Sequence, residues 1–304
     1  MYRIGIIGVG HVGSHIAKEI ISQGLADEIY IYERNLDFAN AQALDLHQST
    51  LLGKDIDVKV STLEELTECD IVINTASGKI TDGNRLEELK ETGRIIEEIF
   101  TPFKNKFKGI IINVSNPCDI ATYLIHKVTG IDFRRIIGTG TLLDSLRFKE
   151  VLARKLNVRP SRINALVLGE HGESQVNIYS NTYIDNLTLN EYARQHNISI
   201  NHDELSQDVR KAGWDIFRVK HCTEFGIAAS TAYIVNIIKN DIEREIPFSH
   251  AYNYNNELIY ISTVAKINKD GYMYTIKLDL SNEEVDKFKH SCDIIANAIR
   301  NYNN

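Results

Sequence analysis

The sequence predicts an α/β protein, a doubly wound parallel sheet followed by a second, α+β part. Three observations predict it. The apolar run Ile4, Ile6 and Ile7 leads directly into Gly8-x-Gly10-x-x-Gly13 and then into a helical stripe of Val12, Ile16, Ile20 and Ile21. Strand-like and helix-like segments then alternate as far as about residue 138, the pattern of a parallel sheet with crossover helices. Beyond that point the alternation gives way to long amphipathic segments and one hairpin signal.

Composition narrows the classes of function. With 304 residues the chain is long enough for two cores or one large one, and we expect two lobes. Thirty-four basic against 41 acidic residues give a net charge of −7 with no long basic run, so neither nucleic acid nor an anionic membrane is an expected partner. Cys69, Cys118, Cys222 and Cys292 are scattered without a CxxC spacing, which argues against a disulfide framework and against a zinc site. No apolar run is long enough to span a bilayer and none precedes the first strand, so the expectation is a cytoplasmic protein.

Each element has its own signal. In the glycine turn, Gly8 permits the tight bend, Gly10 lets a pyrophosphate approach the backbone, and Gly13 lets the helix pack closely on the strand. That helix stops at Gly24, and its free N–H groups point toward the phosphates. Residues 28–33 read as the second strand and end in Glu33, 20 residues after Gly13, where a carboxylate binds a ribose 2′-OH and repels a 2′-phosphate. The cofactor expected is therefore NAD, although Arg34 beside Glu33 could accommodate a phosphate. Asn35 to Ser49 reads as a helix with Phe38, Ala41, Leu44 and Leu46 near helical spacing. Val58 and Val60 suggest the third strand, and residues 69–74 the fourth, opening into the polar loop Thr75 to Asn84, whose glycines make it a candidate lid.

A helix from Arg85 to Phe100 follows, then the strand 109–114 ending in Ser115-Asn116-Pro117, a helix 119–128 and the strand 135–138. Ligands of such sheets lie beyond the carboxyl ends of the strands, which puts residues 75–84 and 115–117 on the working edge. The boundary is placed near Gly140, giving a nucleotide domain 1–140 and a substrate domain 141–304. In the second part we expect a helix over 142–156 with Leu142, Leu146, Val151, Leu152 and Leu156 on its apolar side. A strand over 164–168 runs into Gly169-Glu170-His171-Gly172, and long helices occupy about 203–245. A hairpin turns near Gly271, and a last helix opens with Ser281 and Glu284 as a capping box. Of ten histidines, His171 stands out as a proton-transfer candidate, between glycines at a strand end.

Four motifs in this order, Gly8-x-Gly10-x-x-Gly13, Val114-Ser-Asn-Pro117, Gly138-Thr-Gly-Thr-Leu-Leu-Asp144-Ser-Leu-Arg147 and Leu168-Gly-Glu-His-Gly172, make the chain resemble the L-lactate/malate dehydrogenase family. Its pattern is most similar to the bacterial L-2-hydroxyisocaproate dehydrogenase branch, which shares the sense of Thr223-x-Phe225-Gly-Ile-Ala-Ala-Ser230. The resemblance implies a Rossmann cofactor domain and an NAD-dependent oxidation of a small L-2-hydroxy acid to the 2-oxo acid. It makes His171 the acid/base, Asp144 the carboxylate that holds its ring, and Arg147 the guanidinium that grips the substrate carboxylate. Arg85 would polarise the substrate carbonyl, Asn116 and Thr223 would line the substrate site, and Asn116-Pro117 is a candidate cis peptide. Gly8, Gly10, His11, Val12, Gly13, Glu33, Thr75, Ala76 and Asn116 would surround the cofactor. On their spacing alone, without the His171 motif, Asp144 and Arg147 read rather as an i,i+3 surface ion pair.

Three departures bear on substrate. The loop Ser77-Gly-Lys-Ile-Thr-Asp-Gly-Asn84 is shorter than in typical members and has neither the glutamine of lactate-specific nor the arginine of malate-specific ones. That disfavours malate unless Lys79 substitutes. Gly226, Ala228 and Ala229 suggest room for a longer aliphatic side chain, so a hydroxyisocaproate-like or broad substrate is expected first and L-lactate second. Lys149 and Asn164 stand where bisphosphate-activated members carry an arginine and a histidine, which implies no activation by fructose 1,6-bisphosphate. An assembly of two or four subunits is what the resemblance implies, with no N-terminal arm expected to help build a tetramer. Two rivals are a non-catalytic NAD-sensing module, which needs none of the catalytic trio, and an NAD-dependent glycosidase, which needs a metal.

Overall fold

The computed structural model describes residues 1–78 and 85–303, with only the helical backbone described for 85–88. Lys79 and the remainder of the candidate lid lie outside the described residues, as does the side chain of Arg85. The nucleotide half runs β1 (Arg3–Ile7), α1 (His11–Gln23), β2 (Glu28–Tyr32), α2 (Leu36–Gln48), β3 (Asp57–Val60), β4 (Ile71–Asn74), α3 (Arg85–Phe100), β5 (Ile110–Asn113), α4 (Cys118–Thr129) and β6 (Ile136–Gly138). Its six strands are parallel, in the order β6-β5-β4-β1-β2-β3. Strand order reverses between β1 and β4, so the loops after these two strands open a crevice at the carboxyl edge. The central strands are apolar on both faces, as burial between two helix layers requires.

The second half runs α5 (Leu142–Leu156), β7 (Ile163–Leu168), β8 (Val176–Ile184), β9 (Leu187–Thr188), α6 (Leu189–Gln195), α7 (His202–Lys220), α8 (Phe225–Lys239), β10 (Arg244–Tyr254), β11 (Glu257–Asn268), β12 (Gly271–Thr275) and α9 (Asn282–Asn303). Strands β7, β8 and β9 form a small antiparallel sheet of their own. By contrast, β10 pairs antiparallel with β6 through Ser249 and Gly138, and β11 and β12 extend the large sheet to nine strands. The two lobes expected from length are therefore joined by one sheet. Ala232, Val235, Phe248 and Ala265 share a core with Ile4, Ile16 and Ile29.

Three local readings are corrected. Helix α2 buries Ala39, Ala43 and Leu46, whereas Phe38 and Leu44 are 43% and 60% exposed. Spacing alone offered two faces, and the small alanines let the helix sit close to the sheet. Leu146 of α5 is likewise exposed while Phe148 is fully buried. The helical stretch expected over 203–245 breaks at 221–224 and ends at Lys239, and β10 begins at Arg244. The capping box at the last helix is present: Glu284 N–H donates to Ser281 Oγ at 3.3 Å and Ser281 N–H to Glu284 Oε2 at 2.9 Å.

Candidate active site

At the carboxyl edge of β1, Gly8 takes φ +81°, a left-handed conformation open to glycine, and its N–H donates to Tyr32 O at 2.8 Å. A Cβ on Gly13 would stand 1.9 Å from Gly8 O, so only glycine lets α1 begin this close to the strand. A Cβ on Gly10 would meet nothing within 4 Å, which leaves its backbone facing open space. No side chain caps α1 and its first turn holds no acid, so its leading N–H groups are left for an anionic ligand. Glu33 closes the end of β2, with its carboxylate accepting from Arg34 N–H at 2.9 Å and from Val9 N–H at 3.4 Å. Gly8, Gly10, His11, Val12, Gly13, Glu33, Thr75 and Ala76 line a cavity of about 330 Å³. Open backbone at the turn, free amide donors beside it and a carboxylate at the far end fit the pyrophosphate and ribose of a dinucleotide. Arg34 also borders this cavity, and its guanidinium is paired with Glu98 at 2.9 Å.

The cavity continues into a second of about 560 Å³, and the two share Val12, Thr75 and Ser77. A buried amide network holds the loop after β5 that lines it. Asn74 Nδ2 donates to Asn113 Oδ1 at 2.9 Å, and Asn113 Nδ2 reaches Ser115 O, Cys118 O and Thr122 Oγ1, each at 3.1 Å. This network fixes the turn that carries Asn116, and the Asn116–Pro117 bond is cis. Asn116, Arg147, His171 and Thr223 all line the second cavity. Thr223 lies in the break between α7 and α8, not on a helix.

Asp144 sits in the first turn of α5, 3% exposed, and reaches two partners at once. Its Oδ2 is 2.6 Å from His171 Nδ1 and its Oδ1 accepts from Arg147 Nη1 at 2.9 Å. The i,i+3 ion pair expected from spacing is present, but it is part-buried rather than on the surface and also holds an imidazole. Burial of His171 works against imidazolium, but the Asp144 charge and hydrogen bond outweigh it and raise the histidine pKa above its ordinary value. The same partners outweigh burial at Asp144 and hold its pKa below the usual carboxylate range.

One contributor escaped the sequence reading. Asp119, in the first turn of α4, is 1% exposed; its Oδ2 accepts the His171 backbone N–H at 2.8 Å and its Oδ1 accepts the Ser249 hydroxyl at 2.6 Å. Burial pushes its pKa up to about 6, with Ser249 and the His171 N–H acting the other way. The only sequence signal was an acid just after Asn116-Pro117 on the working edge. Ser249 gave none, because β10 itself was not foreseen. A second correction concerns pocket size. Ala228 is fully buried, a Cβ on Gly226 would lie 2.9 Å from Leu143, and Ala229 faces a different cavity. Thr223 of the break and Ile227 of α8 face the second cavity instead, and none of the three small residues lines it.

A dinucleotide crevice running directly into a cavity with a carboxylate-held imidazole on its wall is the arrangement of a nicotinamide-dependent oxidoreductase. Comparison with known proteins narrows the class. Family models described as the lactate/malate dehydrogenase NAD binding domain and the lactate/malate dehydrogenase alpha/beta C-terminal domain match residues 2–138 and 141–304. The chain is 32% identical over 301 residues to an L-lactate dehydrogenase of Fusobacterium nucleatum, covering 96% of this chain and 94% of that protein. It is 35% identical to L-lactate dehydrogenase 3 of Bacillus thuringiensis, with coverage of 96% and 95%. Among solved structures, the minor L-lactate dehydrogenase of Enterococcus mundtii superposes with a TM-score of 0.90 at 31% identity, covering 98% of both chains. A lactate dehydrogenase from a deep-sea metagenome library gives 0.95 at 26%, covering 100% of this chain and 99% of that one. The chain belongs to the lactate/malate dehydrogenase family. It is an NAD-dependent 2-hydroxy acid dehydrogenase, which sets aside both the sensing module and the glycosidase. Among the described residues no helix is long and apolar enough to cross a membrane.

Proposed function

We propose that this enzyme interconverts a small L-2-hydroxy monocarboxylate and its 2-oxo acid, with His171 as the acid/base and pyruvate as the preferred 2-oxo acid. The observation that carries the chemistry is the Asp144-centred trio on the cavity wall. NAD, when bound, supplies the hydride acceptor. In oxidation, neutral His171 takes the hydroxyl proton at its free ring nitrogen while Asp144 stabilises the imidazolium formed. In reduction the imidazolium returns that proton to the carbonyl oxygen. Arg147 pairs bidentately with the substrate carboxylate, and Asp144 keeps its guanidinium aimed at the cavity. Asn116 and Thr223 hold the substrate between them, and Arg85 is assigned to polarise the carbonyl.

The preference for pyruvate rests on the L-lactate dehydrogenase names of the relatives and on the loss of the enlarged-pocket argument. A broader, hydroxyisocaproate-like preference is the second reading, favoured by the size of the second cavity. NADH oxidation with pyruvate, 2-oxoisocaproate and oxaloacetate in parallel tests the assignment. Pyruvate should give the highest kcat/KM and oxaloacetate the lowest; a clear lead for 2-oxoisocaproate would establish the second reading. We assign the protein to the cytoplasm and expect an assembly of two or four subunits, on the strength of the family.

A further inference from the structure

Two histidines on the first two turns of α1 meet a cysteine and a glutamate from the break before α8. His11 and His15 are four residues apart and so share a helix face. A His11 ring nitrogen, Cys222 Sγ and a Glu224 carboxylate oxygen all lie within 4.8 Å of one another. Cys222 donates its thiol hydrogen to Glu224 Oε1 at 2.9 Å, and His15 Nε2 stands 3.3 Å from Glu224 Oε2. Lys220 Nζ also approaches Glu224 Oε1, at 3.4 Å. The chemistry proposed above uses none of these side-chain groups. The cysteine spacing that argued against a zinc site could not register this cluster, because its donors come from distant parts of the chain.

We propose that His11, Cys222 and Glu224, with His15 as fourth donor, form a binding site for one zinc-class divalent cation placed across the two cavities. Sulfur, imidazole and carboxylate donors together suit a borderline-soft ion in tetrahedral geometry. Metal–ligand bonds of about 2.0–2.3 Å put tetrahedral donor atoms roughly 3.5 Å apart, so the His11, Cys222 and Glu224 donors need to close by only about 1 Å. Binding replaces the thiol proton, which leaves to solvent, by the metal ion; affinity therefore rises with pH. In the metal-free protein the Glu224 hydrogen bond and charge hold the Cys222 thiol above its usual pKa, and Lys220 balances the carboxylate that the cation takes over. His11 borders the cofactor cavity and Cys222 the substrate cavity. A cation there ties the first turn of α1 to the segment carrying Thr223, and turnover falls as the site fills.

The test is a Co²⁺ titration of reduced, chelator-treated protein, followed by absorption and by NADH oxidation. Cys69, Cys118 and Cys292 are buried, so a near-ultraviolet thiolate–cobalt band reports Cys222. We expect that band to saturate at one equivalent, Zn²⁺ to displace it, and turnover to fall in parallel and recover with chelator. Cys222→Ser should abolish the band, and Glu224→Gln and His15→Ala should each weaken binding at least tenfold. Absence of the band, or equally tight binding by Cys222→Ser, overturns the site. Full turnover with one equivalent bound overturns its placement across the cleft.

Discussion

At the scale of single residues, His171 is governed by three acceptors and donors that come from distant parts of the chain. Asp144 touches its ring, Asp119 its backbone, and Arg147 shares Asp144 with it. Reduction needs imidazolium, so 2-oxo acid reduction should persist through neutral pH and fall as pH rises through the raised histidine pKa. Asp144→Asn removes the main source of that rise; the alkaline limb of kcat/KM should move to lower pH, which a pH–rate profile reads directly. An unmoved limb would detach Asp144 from the role assigned to it. Arg147→Gln removes a charge-assisted pair worth about 1.5–3 kcal/mol, so kcat/KM for pyruvate should fall roughly 10- to 100-fold with NADH binding retained. At the cofactor, Glu33→Ser should narrow the preference for NADH over NADPH, since the repelling carboxylate goes while Arg34 stays.

At the scale of elements, what was legible followed from local signals. The glycine turn, the Gly24 stop with φ +63° and the Ser281–Glu284 capping box are each written in a few adjacent residues. Elements whose existence depends on distant partners were not legible. Strand β10 carries polar Ser249 and His250 fully buried, which reads as neither core strand nor helix until β6 and β11 lie beside it. The outward face of α2 failed for the same reason. Glu284 shows how one cap can do more than its sequence suggests: besides Ser281, it accepts Tyr179 N–H at 2.7 Å, Ser180 N–H at 3.0 Å and the Ser180 hydroxyl at 2.5 Å. Burial opposes its charge, but these donors win and lower its pKa. A lowered carboxylate stabilises the fold above its unfolded pKa, and that contribution is lost as pH falls through the folded value. Glu284→Gln should therefore lower Tm by several degrees at pH 7, with the gap to wild type closing in acid; a constant gap would contradict the assignment.

At the scale of the whole molecule, the candidate site stands where one sheet is built from both halves. Ser249 of β10, which pairs with Gly138 at the end of β6, also anchors the Asp119 carboxylate beneath His171. The motifs that carry His171, Asp144 and Asn116 were readable one by one, but their convergence was supplied by the resemblance and not by spacing. Phe248 lies fully buried in the core common to both halves. Phe248→Ala should cost about 3–5 kcal/mol and lower the Tm of a single unfolding transition. Two resolved transitions in the variant would show that the halves hold together less tightly than one shared sheet implies.

The central claim is that His171 moves the proton, and the most direct measurement is pyruvate reduction by His171→Asn alongside NADH binding by fluorescence. The kcat of the variant should fall by about 10²–10⁴-fold with the NADH dissociation constant unchanged. Wild-type turnover in that variant would contradict it.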